Sequence, residues 1–259
     1  VATVSGFSSV DNAPDPDRLV QFLDAAASAE AGIKHYVAAA HARQNPQGPI
    51  LDVGCGAGHD LALLASSGLV AVGLDPSDVM LGAATVRTAK ATSALVRGVG
   101  GALPFVDQAF AGCRIERVLM HVDDPSLVLS EVLRCVEHDG LVTVFEPDWT
   151  RFEISSEVLS ANAGWITSVK HPDIGARLWK LLEEAGCDVL DRVEELSIWR
   201  SLVTLERVTG FAAAVDRAVA AGRLYRDDAD RWIDEQRALD KKGLFRARIP
   251  KVLVVATKR

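Results

Sequence analysis

Between Pro49 and Glu146 the chain alternates short, mostly apolar runs with longer mixed stretches, and most of the runs empty into glycine, aspartate or proline. The run Pro-Ile-Leu-Asp-Val-Gly at 49–54 has the composition of a strand buried on both faces. It leads into a glycine-rich turn and then a helix over 60–67, which Gly68 stops. A second buried strand is predicted over 69–74, ending at Asp75. Ser77 is placed to cap a helix running to about residue 91. Further strands are predicted over 94–97, 111–119 and 141–146. Between the last two, Asp124 followed by Pro125 marks the start of a helix that ends at Asp139-Gly140. Strands alternating with helical crossovers imply an α/β fold: an open, mostly parallel sheet with helices on both faces. In such sheets the ligand lies beyond the carboxyl ends of the strands, so the residues that end each strand are the first candidates for function.

The flanking regions follow a looser pattern. An alanine-rich stretch before Asn45 reads as two helices that break near Gly32. After Trp149 the pattern predicts helices over 155–169 and 172–185 and a strand over 187–199. Two more helices over 202–221 and 228–242 then precede a last strand over 251–257. The expected organisation is one domain over 1–259. Residues 1–48 form N-terminal helices, 49–148 a ligand-binding core, and 149–259 a substrate-side half whose helical insertion, 200–243, covers the crevice.

Composition narrows the function. Of 259 residues 49% are hydrophobic and 24% charged, so a full core is available. The formal net charge of −7 has the wrong sign for a protein that gains affinity by neutralising phosphates, which disfavours nucleic acid as a partner. No apolar run reaches the roughly 20 residues of a membrane-spanning helix. Residues 1–10 lack the basic start and apolar centre of a secretory signal, so a cytoplasmic protein is expected. Cys55, Cys113, Cys135 and Cys187 are scattered, without metal-site spacing, and are expected to be buried reduced thiols.

The glycine-rich turn carries the candidate chemistry. Glycine lets backbone amides approach a ligand closely while the chain turns sharply. A dinucleotide fingerprint, G-x-G-x-x-G, would need a third glycine where His59 stands, and no Gly-Lys-Ser/Thr follows as in a phosphate-binding P-loop. The motif present is Asp52-Val-Gly-Cys-Gly-Ala-Gly58. It is followed in order by Val72-Gly-Leu-Asp-Pro-Ser77, Leu103-Pro-Phe105 and Glu116-Arg-Val-Leu-Met-His121. This ordered set resembles the class I S-adenosylmethionine-dependent methyltransferases. Within them it is similar to the small-molecule branch of ubiquinone- and menaquinone-type and bacterial natural-product enzymes. The resemblance covers about residues 49–147.

The resemblance implies a Rossmann-like sheet of seven strands, S-adenosyl-L-methionine as cofactor, and a set of roles. Gly54, Gly56 and Gly58 would pass under the methionine moiety, with Cys55 among them, and Asp52 would orient its ammonium. Asp75, 21 residues beyond Gly54, would accept the ribose hydroxyls. Pro76 and Met80 would lie against the adenine, Val99 and Gly100 would complete that end, and Glu116 and Arg117 would border the methionine end. One position departs from the pattern: similar sequences carry an acidic residue where Val99 stands, to meet the adenine amine.

Methyl transfer requires alignment of donor and acceptor and, for some acceptors, removal of a proton. His121 is the expected general base, because a neutral imidazole accepts protons at physiological pH. His35, Tyr36, Glu146, Trp149 and Trp165 are expected to contact the acceptor. Phe152, Trp199 and Tyr225 are further candidates for its walls. Asp123 and Asp124 beside His121 raise the question of a metal, but Asp124 reads as the helix cap, and no metal is expected. The motif of amino-methylating nucleic-acid enzymes is absent, which favours a small, substantially apolar acceptor. The alternative is a non-methylating member of the same fold, such as a cyclase, a decarboxylase or a cofactor-binding protein. The sequence leaves the acceptor, the methylated atom and the oligomeric state open, a homodimer included.

Overall fold

The computed structural model describes residues 10–13, 15–156 and 169–259. Two helices, α1 (Pro16–Ala29) and α2 (Ala31–Arg43), precede β1 (Ile50–Val53), α3 (His59–Ser66), β2 (Ala71–Asp75), α4 (Asp78–Arg87) and β3 (Ser93–Arg97). Then follow β4 (Phe110–Glu116), α5 (Pro125–Cys135), β5 (Val136–Pro147), the two-residue β6 (Glu153–Ile154), α6 (Ile174–Ala185) and β7 (Cys187–Trp199). Helices α7 (Leu202–Thr209), α8 (Phe211–Ala220) and α9 (Arg226–Lys241) are inserted before β8 (Ala247–Lys258).

Strands β3, β2, β1, β4 and β5 lie side by side and parallel. β8 runs antiparallel to β5 on one side and to β7 on the other, with Lys251 opposite both Pro147 and Glu195. The eighth strand adds little to the seven expected. Arg248 and Ala247 pair with Glu153 and Ile154 on one side and with Ile198 and Trp199 on the other, so β6 continues the β5 edge after one helical turn.

Each face of the sheet is buried under helices. Val37, Ala38 and Ala40 of α2 and Leu61 and Leu64 of α3 cover one face, against Ile50, Leu141, Phe145 and Leu253. On the other, Val128, Leu129 and Val132 of α5 and Leu178 and Leu182 of α6 pack with Val142, Val144 and Val254. Alternate residues of β5 thus point to opposite helical layers, which is why its apolar run is continuous.

Several boundaries differ from the sequence pattern. β4 stops at Glu116, short of Leu119, because Arg117 adopts φ +55° and turns the chain out of the sheet. The helix from Pro125 ends at Cys135, since Val136 is already extended and pairs with Phe110. The single helix expected over 202–221 is two, divided at Gly210 with φ +60°. The first helical break lies at Glu30, two residues before Gly32. The helix expected over 155–169 falls almost wholly outside the described residues. Asp124 caps α5, accepting the Ser126 and Leu127 N–H groups at 2.8 and 3.2 Å. All four cysteines are buried and free.

Candidate active site

A cavity of about 990 Å³ opens beyond the carboxyl ends of β1, β2 and β4, between α1 on one side and β7, α7 and α8 on the other. Its size is at the upper end of the roughly 300–1,000 Å³ of ligand pockets and leaves space for two molecules side by side.

The floor is the turn after β1. Gly54 and Gly56 have φ of +70° and +49°, in the left-handed region that only glycine adopts without strain. The Gly54 and Cys55 N–H groups donate to the Leu74 carbonyl at 2.7 and 3.0 Å, tying the turn to the end of β2. A side chain at Gly54 would stand 2.3 Å from Val118 Cγ2. Gly58, at φ +79°, departs from the expected place under the methionine moiety. A Cβ there would lie 2.9 Å from Ala84 Cβ, so Gly58 lets α3 start against α4 and does not face the cavity.

Asp75 lines the cavity at the end of β2, and each of its oxygens accepts one backbone N–H at 2.9 Å, from Gly56 and Ser77. A carboxylate has about four acceptor sites, so two remain for a ligand. Burial raises its pKa, partly offset by those two N–H groups. Pro76, Met80, Val99 and Gly100 continue this wall. Ser77 caps α4 by accepting the Met80 N–H at 3.1 Å, and Asp11 accepts the Ser77 hydroxyl and the Asp78 N–H, which brings the N-terminal segment to the same rim.

At the other end of the floor lies a buried network of charges. Arg114 Nη1 is 2.9 Å from Asp52 and 3.1 Å from Asp60. Arg114 also pairs with Glu116, which accepts from Lys34 at 2.7 Å and from Arg117 at 2.7 Å. Arg117 reaches Glu30 at 3.2 Å, and Glu30 in turn pairs with Lys251. Burial acts to raise the Glu116 carboxyl, but Lys34, Arg117 and Arg114 together hold it well below its ordinary 4.5. Glu30, Lys34, Asp60, Arg114 and Lys251 were not singled out from sequence, although Arg114 and Lys251 are buried charges inside the strands β4 and β8.

The loop after β4 carries His121. Glu146 Oε1 accepts the N–H groups of Val118 and Leu119 at 2.8 and 2.7 Å, and the His121 N–H donates to the Val118 carbonyl at 2.9 Å. Burial pushes Glu146 up to about 8. Burial, with Arg117 and Lys170 nearby, pulls His121 down to about 4, so its imidazole is neutral at physiological pH.

Further sequence expectations are corrected. Asp52 is fully buried behind Arg114 and does not line the cavity; burial raises it to about 7 against the pull of that guanidinium. Glu146 is also fully buried and shapes the loop instead of touching an acceptor. His35 bonds the Ala31 carbonyl on an exposed helix face, and Tyr36 donates to Asp191 at 2.7 Å; both point away from the cavity. Trp165 lies outside the described residues. Trp149 and Trp199 do wall the cavity, and Phe152 packs behind them, its ring centroid 5.3 Å from that of Trp149. Tyr225 is exposed and remote from it.

The donor and acceptor set suits S-adenosylmethionine. Asp75 offers free lone pairs where a diol would sit, Met80 and Pro76 offer an apolar surface, and the paired charges beside the glycine turn match a group bearing both an ammonium and a carboxylate.

Comparison with known proteins agrees. A family model described as a methyltransferase domain matches residues 51–144. An uncharacterized 37.1 kDa protein carried by a Streptomyces fradiae transposon is 33% identical over 252 residues, spanning 93% of this chain and 71% of that protein. An uncharacterized methyltransferase of Mycobacterium leprae is 35% identical over 100 residues, 39% of this chain and 37% of the relative. The chain belongs to the class I S-adenosylmethionine-dependent methyltransferases. A putative methyltransferase from Bacillus halodurans shares the fold, with a TM-score of 0.59 at 16% identity over 85% of this chain and 97% of that one. The methyltransferase core of this chain is the parallel half of the sheet, and the N-terminal segment with α1 and the segments after β5 build the rest of the cavity wall. Among the described residues no helix is long and apolar enough to cross a membrane.

Proposed function

We propose that this methyltransferase binds S-adenosyl-L-methionine on the Gly54–Gly56 turn and Asp75, and transfers its methyl group to a small, largely apolar metabolite held between Trp149, Trp199 and the α7–α8 cover. The observation that carries the reading is the joining of the two halves in one cavity: the glycine turn and Asp75 on one side, His121 and the tryptophans on the other.

The cofactor supplies an electrophilic methyl group; the chain supplies position and dryness. Asp75 accepts the ribose hydroxyls, while Met80 and Pro76 pack on the adenine. Glu116 and Arg117, fixed by Lys34 and Glu30, border the methionine end. Cavity walls from α1 and α7–α8 keep water from the reacting atoms, which strengthens every electrostatic contact inside. His121 Nδ1 or Nε2 accepts the acceptor's proton when the nucleophile arrives protonated. The Val99 side chain offers no acceptor to the adenine amine, which would be met by a backbone carbonyl or water, or would leave the cofactor held less tightly.

Transfer of label from methyl-labelled S-adenosylmethionine to a panel of hydroxylated aromatic and amine metabolites tests the proposal. A methylated product is expected. Tight cofactor binding with no transfer to any acceptor, together with conversion of an acceptor to an unmethylated product, would replace it with the non-methylating alternative.

A further inference from the structure

The acceptor end of the cavity has a feature that methyl transfer itself does not require. Lys34, Arg114, Arg117 and Lys251, the cations that line the cofactor end, are all committed to carboxylates. Arg207 and Arg217, on the cover, also line the cavity, yet neither guanidinium makes a hydrogen bond or ion pair with any described residue. Arg207 stands on α7 and Arg217 on α8, on either side of the break at Gly210, and both helices present them to the same cavity. Gly210 and Ala213 line it between them and are small, which leaves room for a ligand beside the two cations. The adjoining wall from β7 is largely apolar, with Leu196, Ile198 and Trp199 beside Glu195 and Ser197. Glu206, on the same helix as Arg207, also lines the cavity; one of its oxygens accepts the Ala212 N–H at 2.9 Å and it forms no ion pair with Arg207.

We infer that the acceptor is an apolar molecule bearing an anionic group, a carboxylate or a phosphate monoester, which Arg207 and Arg217 hold at the cavity mouth. The inference rests on the reading of this cavity as cofactor site plus acceptor site, and names the acceptor's class. Two guanidiniums are suited to it because their planar donor forks match both oxyanions. In a protein of net charge −7, unpaired cations at one mouth also draw an anionic ligand toward that opening and away from the rest of the surface. The anion anchors the far end of the molecule and leaves its apolar body against Trp149 and Trp199, with the nucleophile directed inward toward His121.

The experiment uses the whole chain with S-adenosylhomocysteine present and three matched probes: decanoate, decyl phosphate and methyl decanoate, each below its micellar concentration. Tryptophan fluorescence reads binding, since Trp149 and Trp199 line the site. One or both anions are expected to bind at least about tenfold more tightly than the ester, and which of them does so separates a carboxylate from a phosphate acceptor. The preference should diminish in R207Q and R217Q singly and vanish in R207Q/R217Q, whose folding is followed by thermal melting. Equal affinity for the three probes, binding of none, or a preference that survives in the folded double variant overturns the inference. Calorimetry with S-adenosylhomocysteine on the same samples keeps the two readings apart. Cofactor binding without anion preference removes this inference alone, and anion preference without cofactor binding removes the methyltransferase reading instead.

Discussion

The ammonium of Lys34, on α2, stands 2.7 Å from both carboxylate oxygens of Glu116 at the end of β4, and both side chains are buried. Eighty-two positions separate them in sequence. The pair fastens an N-terminal helix to the strand end that borders the cofactor, and Asp60 at the start of α3 joins it at 2.8 Å.

Removing one member of a buried pair leaves the other charge uncompensated. Lys34→Met is expected to destabilise the fold by about 3 kcal/mol, at the low end for such pairs because Arg114 and Arg117 still face Glu116. The pH dependence has a definite sign. A carboxyl held below its ordinary value in the folded chain contributes stability that is present above about pH 4.5 and is lost as pH falls through the folded value. Lys34→Met raises the Glu116 carboxyl, so acid unfolding should begin at higher pH than in the wild type. Urea titrations across pH 3–7 measure both effects; superimposable curves would show that the pair contributes nothing.

Asp75→Ala is expected to weaken S-adenosylmethionine binding by at least about a hundredfold, the loss of two hydrogen bonds to a charged acceptor. Since Asp75 also takes the Gly56 and Ser77 N–H groups, a modest fall in melting temperature should accompany it. Calorimetry on the folded variant decides, and unchanged affinity would remove Asp75 from the site.

Val99 lines the cavity beside Gly100 and is more than half exposed, so a polar side chain of similar size fits there without repacking the core. Val99→Asp should tighten cofactor binding by about two- to tenfold if the adenine amine gains an acceptor. No change would mean that backbone or water already satisfies that amine.

His121→Ala should leave cofactor affinity nearly unchanged and lower turnover by about 100- to 10,000-fold if the imidazole acts as base. With the imidazole held near 4, the wild-type rate should stay level from pH 8 down to about 5 and fall only below that, and the variant should lose this acidic limb. A rate profile that breaks near 6.5, or a variant with normal turnover, would exclude His121 as the base.

The amino-acid order by itself determined the parallel core. The apolar runs that became β1, β2, β3, β4 and β5, the Asp124-Pro125 helix start and the ordered motifs from Asp52 to His121 all lie within local reach of the rules that make strands, caps and turns. Asp75 and the glycine turn were legible for the same reason: each sits at the end of a strand whose direction the pattern already implied, and Met80 follows in the first turn of the helix that Ser77 caps. Tertiary structure alone decided which carboxylates meet the cavity and which are sealed behind it. Asp52 and Glu146 lie on strands at positions that look like Asp75 in sequence, yet one is covered by Arg114 and the other is consumed by the Val118 and Leu119 N–H groups. It alone also joined Glu30, Lys34, Arg114, Glu116 and Lys251, because an ion pair between residues as distant as Glu30 and Lys251 depends on which helix the sheet's twist and packing bring across it, and no local periodicity carries that information.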